Sequence, residues 1–129
     1  MKLKIHSLVA DLLENPEARI KYNDTKHFFV KWIKHIRRTI VFSYYLAKIT
    51  GADLKITTRA AALHDIDDYP LFNHSKKCAE KASEIEKDKK IIEAIRTHMF
   101  PLSKIPKSKE AWVLTIADKL AIIIDMLDF

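Results

Sequence analysis

The chemically distinctive residues of this 129-residue chain are histidines and aspartates at helical positions within apolar segments. His35 lies one turn after Trp32 and one turn before Thr39 in a stripe of helical periodicity. His98 lies three residues after Ile95 in a second such stripe. A single histidine of this kind is more often a core residue than a ligand, but imidazoles that converge from several helices are typical of a metal site. We therefore predict that both histidines point inward.

Asp118 is the most informative acidic residue, because its segment is apolar and it shares a helix face with Leu114 and Ala121. An ionised carboxylate in an apolar interior is too costly unless a cation or strong donors compensate it. The sequence therefore implies either a bound metal ion or a buried arginine beside Asp118. The alternative interpretation is that Asp118 and Asp125, seven residues apart, mark a polar edge of their helix.

Two further segments carry metal-ligand types of residue. His64 and Asp65 adjoin each other at the predicted end of a helix, where both side chains can reach one ion from different sides. His74 precedes Cys78 by one helical turn, and we predict that Cys78 fills the core. Imidazole nitrogen together with carboxylate oxygen suits Fe, Mn, Zn or Co, whereas Mg prefers oxygen ligands. One cysteine in the chain excludes a cysteine-rich structural zinc site.

Helices must position these residues, and the composition favours an all-α fold. The chain has a single glycine, Gly51, which disfavours a protein with many β-hairpins. Periodicity, capping residues and prolines predict a first helix that ends before Pro16 and five more at about 25–49, 54–65, 75–85, 88–99 and 109–127. We therefore predict a single-domain bundle of about six helices over residues 1–129.

Local signals define several of these helix ends and faces. Asp53 and Ser108 are predicted N-caps, and Gly51 is predicted to end the longest helix. The inner stripe of that longest helix is predicted to extend from Phe28 to Ile49, with His35 on it.

The net charge of the chain and the length of its apolar segments indicate which kind of partner and which compartment to expect. A net charge of +6 and a pI near 9.4 favour an anionic partner such as a phosphate ester or a nucleic acid. Because the lysines are spread over several helices, we interpret them as a solvated surface rather than a nucleic-acid interface. No apolar run approaches the roughly 18 residues of a membrane span, and no secretory leader is recognised. The cytoplasm is the expected compartment.

In their order along the chain, four of these residues resemble the signature of the HD-domain superfamily of metal-dependent phosphohydrolases. The signature comprises an inward histidine on a long helix (His35), a His-Asp dyad about one helix later (His64 and Asp65) and an aspartate on a late helix (Asp118). The dyad stands in Ala-Ala-Leu-His-Asp-Ile-Asp-Asp, and the late aspartate stands in Thr-Ile-Ala-Asp-Lys. The resemblance covers about residues 32 to 124.

Two histidines between the dyad and the late aspartate extend this resemblance. His74 and His98 correspond to the additional histidines of the dinuclear branch. The segment Ile-Glu-Ala-Ile-Arg-Thr-His, which ends at His98, looks like the equivalent stretch of bacterial dinucleoside tetraphosphate hydrolases.

The resemblance implies a function, a cofactor and a set of ligands. It implies two divalent transition metal ions, with Fe or Mn favoured over Zn, Co or Mg, and a small phosphorylated, nucleotide-like substrate. A hydroxide that bridges the metals would be the nucleophile. The residues implied for the first ion are His35, His64, Asp65 and Asp118. The second ion is implied to bind His74 and His98, with Asp65 bridging.

The chain departs from the family pattern directly after the dyad. Asp67 and Asp68 occupy the positions where a glycine and a lysine or arginine are common, so a familiar phosphate contact is missing. Asp67 and Asp68 are candidates for donating a proton, contacting substrate or supporting a metal ligand, although we expect at least one of them to be only a solvated loop residue; Asp68 is the one we place in the catalytic set. Arg38 is our first choice for a replacement phosphate clamp, followed by Lys81 and Lys119. Together with Asp65, Arg38 and Asp68 make up the predicted catalytic set.

Two other functions remain open from the sequence. Related helical His/Asp sites that hold two iron ions activate oxygen instead of water, which would make the chain an oxygenase. Loss of the usual cation after the dyad would instead suit a catalytically impaired, metal-stabilised module that binds a nucleotide or another protein.

Overall fold

A computed structural model describes residues 1–15, 26–67 and 71–127, and within these ranges the chain forms helices and no strand. The six helices are α1 (Leu3–Leu13), α2 (Lys26–Thr50), α3 (Leu54–Leu63), α4 (His74–Ala82), α5 (Lys89–Thr97) and α6 (Lys109–Leu127). The predicted all-α fold is confirmed. None of the described helices combines the length and hydrophobicity that crossing a bilayer requires.

The packing centres on α2, which contacts both α3 and α6, while α5 contacts α3, α4 and α6. The core contains large side chains such as Ile40, Leu63, Ile95 and Leu114, all fully buried. Alanines line much of α3 at its contacts, and their small side chains permit close helix packing. This arrangement brings α2, α5 and α6 together around the C-terminal end of α3, where His64 lies.

The first helix lies on α3 and closes one side of the core. Ile5, Val9 and Leu12 recur with helical periodicity and are buried, as their spacing predicts. Arg59 of α3 fastens α1 electrostatically, since it donates two hydrogen bonds to Asp11, at 2.8 and 3.0 Å.

The helix boundaries follow the predicted caps. The Asp53 carboxylate accepts a hydrogen bond from the Ile56 amide at 2.9 Å, and Ser108 Oγ accepts one from the Ala111 amide at 3.0 Å. Gly51 ends α2 with a φ of 78°, in the left-handed region that glycine adopts without strain. Asn23, Asp24 and Thr25, whose side chains the sequence predicts as caps of α2, lie outside the described residues.

The inner face of α2 differs from the predicted one. Ile36, Ile40 and Ala47 are fully buried, whereas Ile49 is 80% exposed, so its placement on the inner stripe is wrong. The buried face of α2 is rotated by about one residue relative to the predicted stripe. The reason is that α2 packs between α3 and α6, and its contacts with both helices decide its orientation. As a result His35 lies at the edge of the core instead of its centre.

Candidate metal centre

Three ligand atoms from three separate helical segments meet at the end of α3. His35 Nε2 lies 3.2 Å from His64 Nε2 and 3.0 Å from Asp118 Oδ1, and His64 Nε2 lies 3.1 Å from the same carboxylate oxygen. Bonds of about 2.1 Å at angles between 90° and 109° place neighbouring ligands about 3.0–3.4 Å apart. The spacing of this triad therefore fits a single divalent ion with little movement.

The other ring nitrogen of each histidine is held by a hydrogen bond. His64 Nδ1 lies 2.6 Å from the Ala61 carbonyl oxygen, which fixes Nδ1 as the donor. His35 Nδ1 lies 2.7 Å from Asp125 Oδ2. With both Nδ1 atoms donating, both Nε2 atoms point toward the triad, and each can offer its lone pair to a metal ion once it carries no proton.

The charge state of Asp118 matches a cation site. Asp118 is only 3% exposed, so the alternative interpretation that it marks a polar edge of its helix is wrong. Burial by itself raises the pKa of Asp118, but the neighbouring His64 and His35 hold that pKa well below its usual range. In the described residues the partners of this buried carboxylate are therefore imidazoles and not an arginine.

A second group of ligand atoms lies where the turn after α3 meets the start of α4. His74 Nε2 lies 2.9 Å from Asp65 Oδ1 and 3.6 Å from Cys78 Sγ. All three atoms lie within 4.8 Å of one another. The hydrogen bond to Asp65, followed by the contact with Cys78, raises the pKa of His74 to about 10. Because α3 ends at Leu63, earlier than predicted, Asp65 lies in a turn and can reach toward α4.

His98 lies between the two groups. Its ring centroid is 5.0 Å from that of His64 and 5.8 Å from that of His74. Burial is the main cause that lowers the pKa of His98, to about 4, so its ring is neutral near pH 7. His98 Nδ1 lies 2.5 Å from the Ile95 carbonyl oxygen, to which it donates its proton. The Nε2 atom therefore carries the lone pair and is available as a metal ligand. Among the described residues, neither compact group of ligand atoms includes His98.

A single cavity of about 410 Å³ joins these groups. Volumes of this size are typical of sites for small organic ligands. Apolar walls come from Leu71, Met99 and Ile122. The cavity is lined by all six histidines and aspartates predicted as ligands, namely His35, His64, Asp65, His74, His98 and Asp118.

Two of the three cations predicted to contact phosphate, Arg38 and Lys119, have protein partners. Arg38 Nη1 donates to Asp125 Oδ1, and Lys119 Nζ lies 3.4 Å from the His98 carbonyl oxygen. Asp68, a member of the predicted catalytic set, lies outside the described residues. Sequence reasoning missed the contact of Asp125 with His35. The sequence signal for this contact was the position of Asp125 seven residues after Asp118, which places both carboxylates on the same face of α6.

A comparison with known families adds to this geometry. The model of the HD domain matches residues 32–123, from α2 to α6. The chain belongs to the HD domain family. Proteins of this family are in general metal-dependent hydrolases. No curated protein and no solved structure gives a significant match.

Metal binding to this HD domain is expected to release protons. Burial alone would lower the pKa of His35, but its bonds to Asp118 and Asp125 raise that pKa to about 9. In the metal-free protein His35 is therefore protonated at neutral pH and must lose this proton before Nε2 can bind a metal. Metal affinity should fall about tenfold for each pH unit below this pKa.

Calorimetric titration in two buffers with different ionisation enthalpies would count the released protons. We expect at least one proton for the first ion at neutral pH. The stability of the metal-free protein depends on pH in the opposite direction from metal affinity. A protonated His35 stabilises the fold fully below its ordinary pKa of 6.5, and this stabilisation is lost as the pH rises through about 9. Metal binding by this HD domain that shows no pH dependence would contradict the assignment of His35 as a ligand.

Proposed function

We propose that this HD domain is a metal-dependent phosphohydrolase that acts on a nucleotide, dinucleotide or other small phosphate ester. The observation that carries the proposal is the convergence of His35, His64 and Asp118 on the wall of a cavity with three more ligand-type residues. A divalent metal bound there would polarise phosphoryl oxygens and lower the pKa of water. A phosphoryl group is the substrate class that this chemistry suits best.

The protein residues supply orientation and a defined environment. His64 and His35 are held in the required tautomer by the Ala61 carbonyl and by Asp125. The ionised Asp118 supplies a negative charge that favours a cation in the site. Met99 and Ile122 form an apolar part of the cavity wall that a bound substrate would contact.

We further propose two metal ions, with Fe or Mn favoured. Asp65 is the residue that would link them, since its carboxylate bonds to His74 on one side and its neighbour in the chain is His64 of the first triad. His98 is proposed as a donor to the second ion because its neutral ring lies between the groups. Paired ions about 3.5–4 Å apart are common where a phosphoryl group is transferred to water.

Phosphate release tests the proposal. The metal-free protein would be reconstituted anaerobically with Mn, Fe, Co or Mg and assayed over a panel of nucleotides and dinucleotides. We expect phosphate or nucleoside monophosphate from at least one substrate, and loss of this activity on chelation. A sample with Asp118→Asn, purified in parallel, controls for contaminating phosphatases.

Oxygen uptake measured in the same samples separates the alternatives. Oxygen consumption coupled to substrate oxidation, with no phosphate from any nucleotide, would replace the proposal with the di-iron oxygenase. Binding of a nucleotide without any turnover would favour the catalytically impaired module.

Arg38 provides a prediction about the first metal site. Its guanidinium holds Asp125, which in turn bonds to His35, so Arg38→Ala should weaken metal binding at the first site by about tenfold. Arg38→Lys should retain more affinity, because it keeps a positive charge near Asp125. Competition with a chromophoric chelator would measure both variants. Unchanged metal affinity with a raised KM would instead make Arg38 the phosphate clamp that the sequence predicts.

A further inference from the structure

We propose that Cys78 is a metal ligand and that it forms the site of the second ion together with Asp65 and His74. The sequence predicts Cys78 as core filling, and its residue is indeed fully buried. Its sulfur, however, faces two other ligand atoms instead of apolar groups alone. The catalytic use of this ion rests on the proposed function, whereas the site itself rests on the geometry of these three side chains.

Two of the three separations between the donor atoms are close to those of a tetrahedral zinc site. Zn–N bonds of about 2.0–2.1 Å and Zn–S bonds of about 2.3 Å place nitrogen and sulfur about 3.5 Å apart at a tetrahedral angle. The separation between His74 Nε2 and Cys78 Sγ is 3.6 Å. The 2.9 Å between His74 Nε2 and Asp65 Oδ1 must widen by only a few tenths of an ångström.

The local structure gives the three donors a common direction. His74 and Cys78 lie four residues apart on α4, so their side chains occupy consecutive turns of one helix face. Asp65 approaches them from the turn after α3, and its backbone carbonyl accepts a hydrogen bond of 2.7 Å from the Trp32 indole. Both Asp65 and His74 line the cavity, which gives an ion a route of entry.

A thiolate donor changes the choice of metal. Sulfur ligands favour Zn(II), Co(II) or Fe(II), whereas Mg(II) prefers oxygen ligands and water. The first triad offers two nitrogens and one oxygen, but this second group offers one nitrogen, one oxygen and one sulfur. We therefore infer that the second site is the more thiophilic of the two. His98 then completes this site as a fourth donor or leaves that position open for substrate.

Cobalt spectroscopy on the full chain tests the inference directly. Because the chain has a single cysteine, a thiolate-to-Co(II) charge-transfer band in the near ultraviolet must come from Cys78. We expect this band when the second equivalent of Co(II) binds under anaerobic conditions. The band should disappear in Cys78→Ser and weaken in His74→Ala. It should persist in His35→Ala, which removes a donor of the first site only.

Metal affinity gives a second measurement. Cys78→Ser should weaken Zn(II) binding at one site by at least about tenfold, while the other site keeps its affinity. Circular dichroism of the metal-free variant controls for the fold. Two bound Co(II) ions without a thiolate band in the unaltered protein would overturn the proposal, whatever the variants do. The band requires no substrate, so a Co(II)-thiolate signal in a protein that releases no phosphate would retain the site and reject only the hydrolase function.

Discussion

Asp118→Ala should empty the first metal site and lower kcat/KM for phosphate release by roughly 10³-fold or more, which corresponds to about 4 kcal/mol of transition-state stabilisation. The reason is geometric, because Asp118 Oδ1 lies within 3.1 Å of both histidine donors and supplies the negative charge among them. Metal analysis by mass spectrometry and steady-state kinetics would measure the two effects on the same preparation.

Asp125→Asn is the matched control for this variant. It lies on the same helix and loses the same charge, but its amide oxygen can still accept the hydrogen bond from His35 Nδ1. We expect a smaller loss of about 10–100-fold in metal affinity, as is usual for groups that orient a ligand. If Asp118→Ala and Asp125→Asn lose metal equally, Asp118 is not a direct ligand.

Asp65→Ala is expected to remove the second ion and reduce turnover by at least about 10²-fold, because its carboxylate bonds to His74 and is proposed to link the two ions. His98→Ala removes a ring that lies between the two groups of ligand atoms and should retain one tightly bound ion. Metal counting on both variants after equilibrium dialysis would compare them. Loss of both ions in His98→Ala, or full turnover in Asp65→Ala, would refute the dinuclear arrangement.

Much of this fold follows from local sequence signals. Apolar periodicity and the caps at Asp53 and Ser108 predict helices close to those observed. The exposed Ile49 shows the limit of periodicity, because one residue turns a helix by about 100° and contacts with other helices decide which face is buried. The early end of α3 at Leu63 likewise depends on the turn that follows it.

For the candidate site, the sequence predicts which residues are buried ligands but not all of the partners that hold them. Inward histidines and a buried aspartate predict a polar cluster, because such groups need partners in an apolar interior. The partner of His35 was not predictable in the same way, since Asp125 is 90 residues away in the sequence and only the packing of α2 on α6 brings them together. The role proposed for Cys78 also depends on how the turn after α3 approaches α4.

The hydrogen bond from the Trp32 indole to the Asp65 carbonyl has a practical consequence. Indole fluorescence responds to changes in hydrogen bonding and local polarity, and this indole is attached to the turn that carries His64 and Asp65. The other tryptophan, Trp112, is 38% exposed and packs edge to face on Phe100. Arrival of an ion should therefore change the emission of Trp32 against a steady background from Trp112. The chain thus carries an intrinsic optical reporter, with which stopped-flow mixing can time metal uptake without a label.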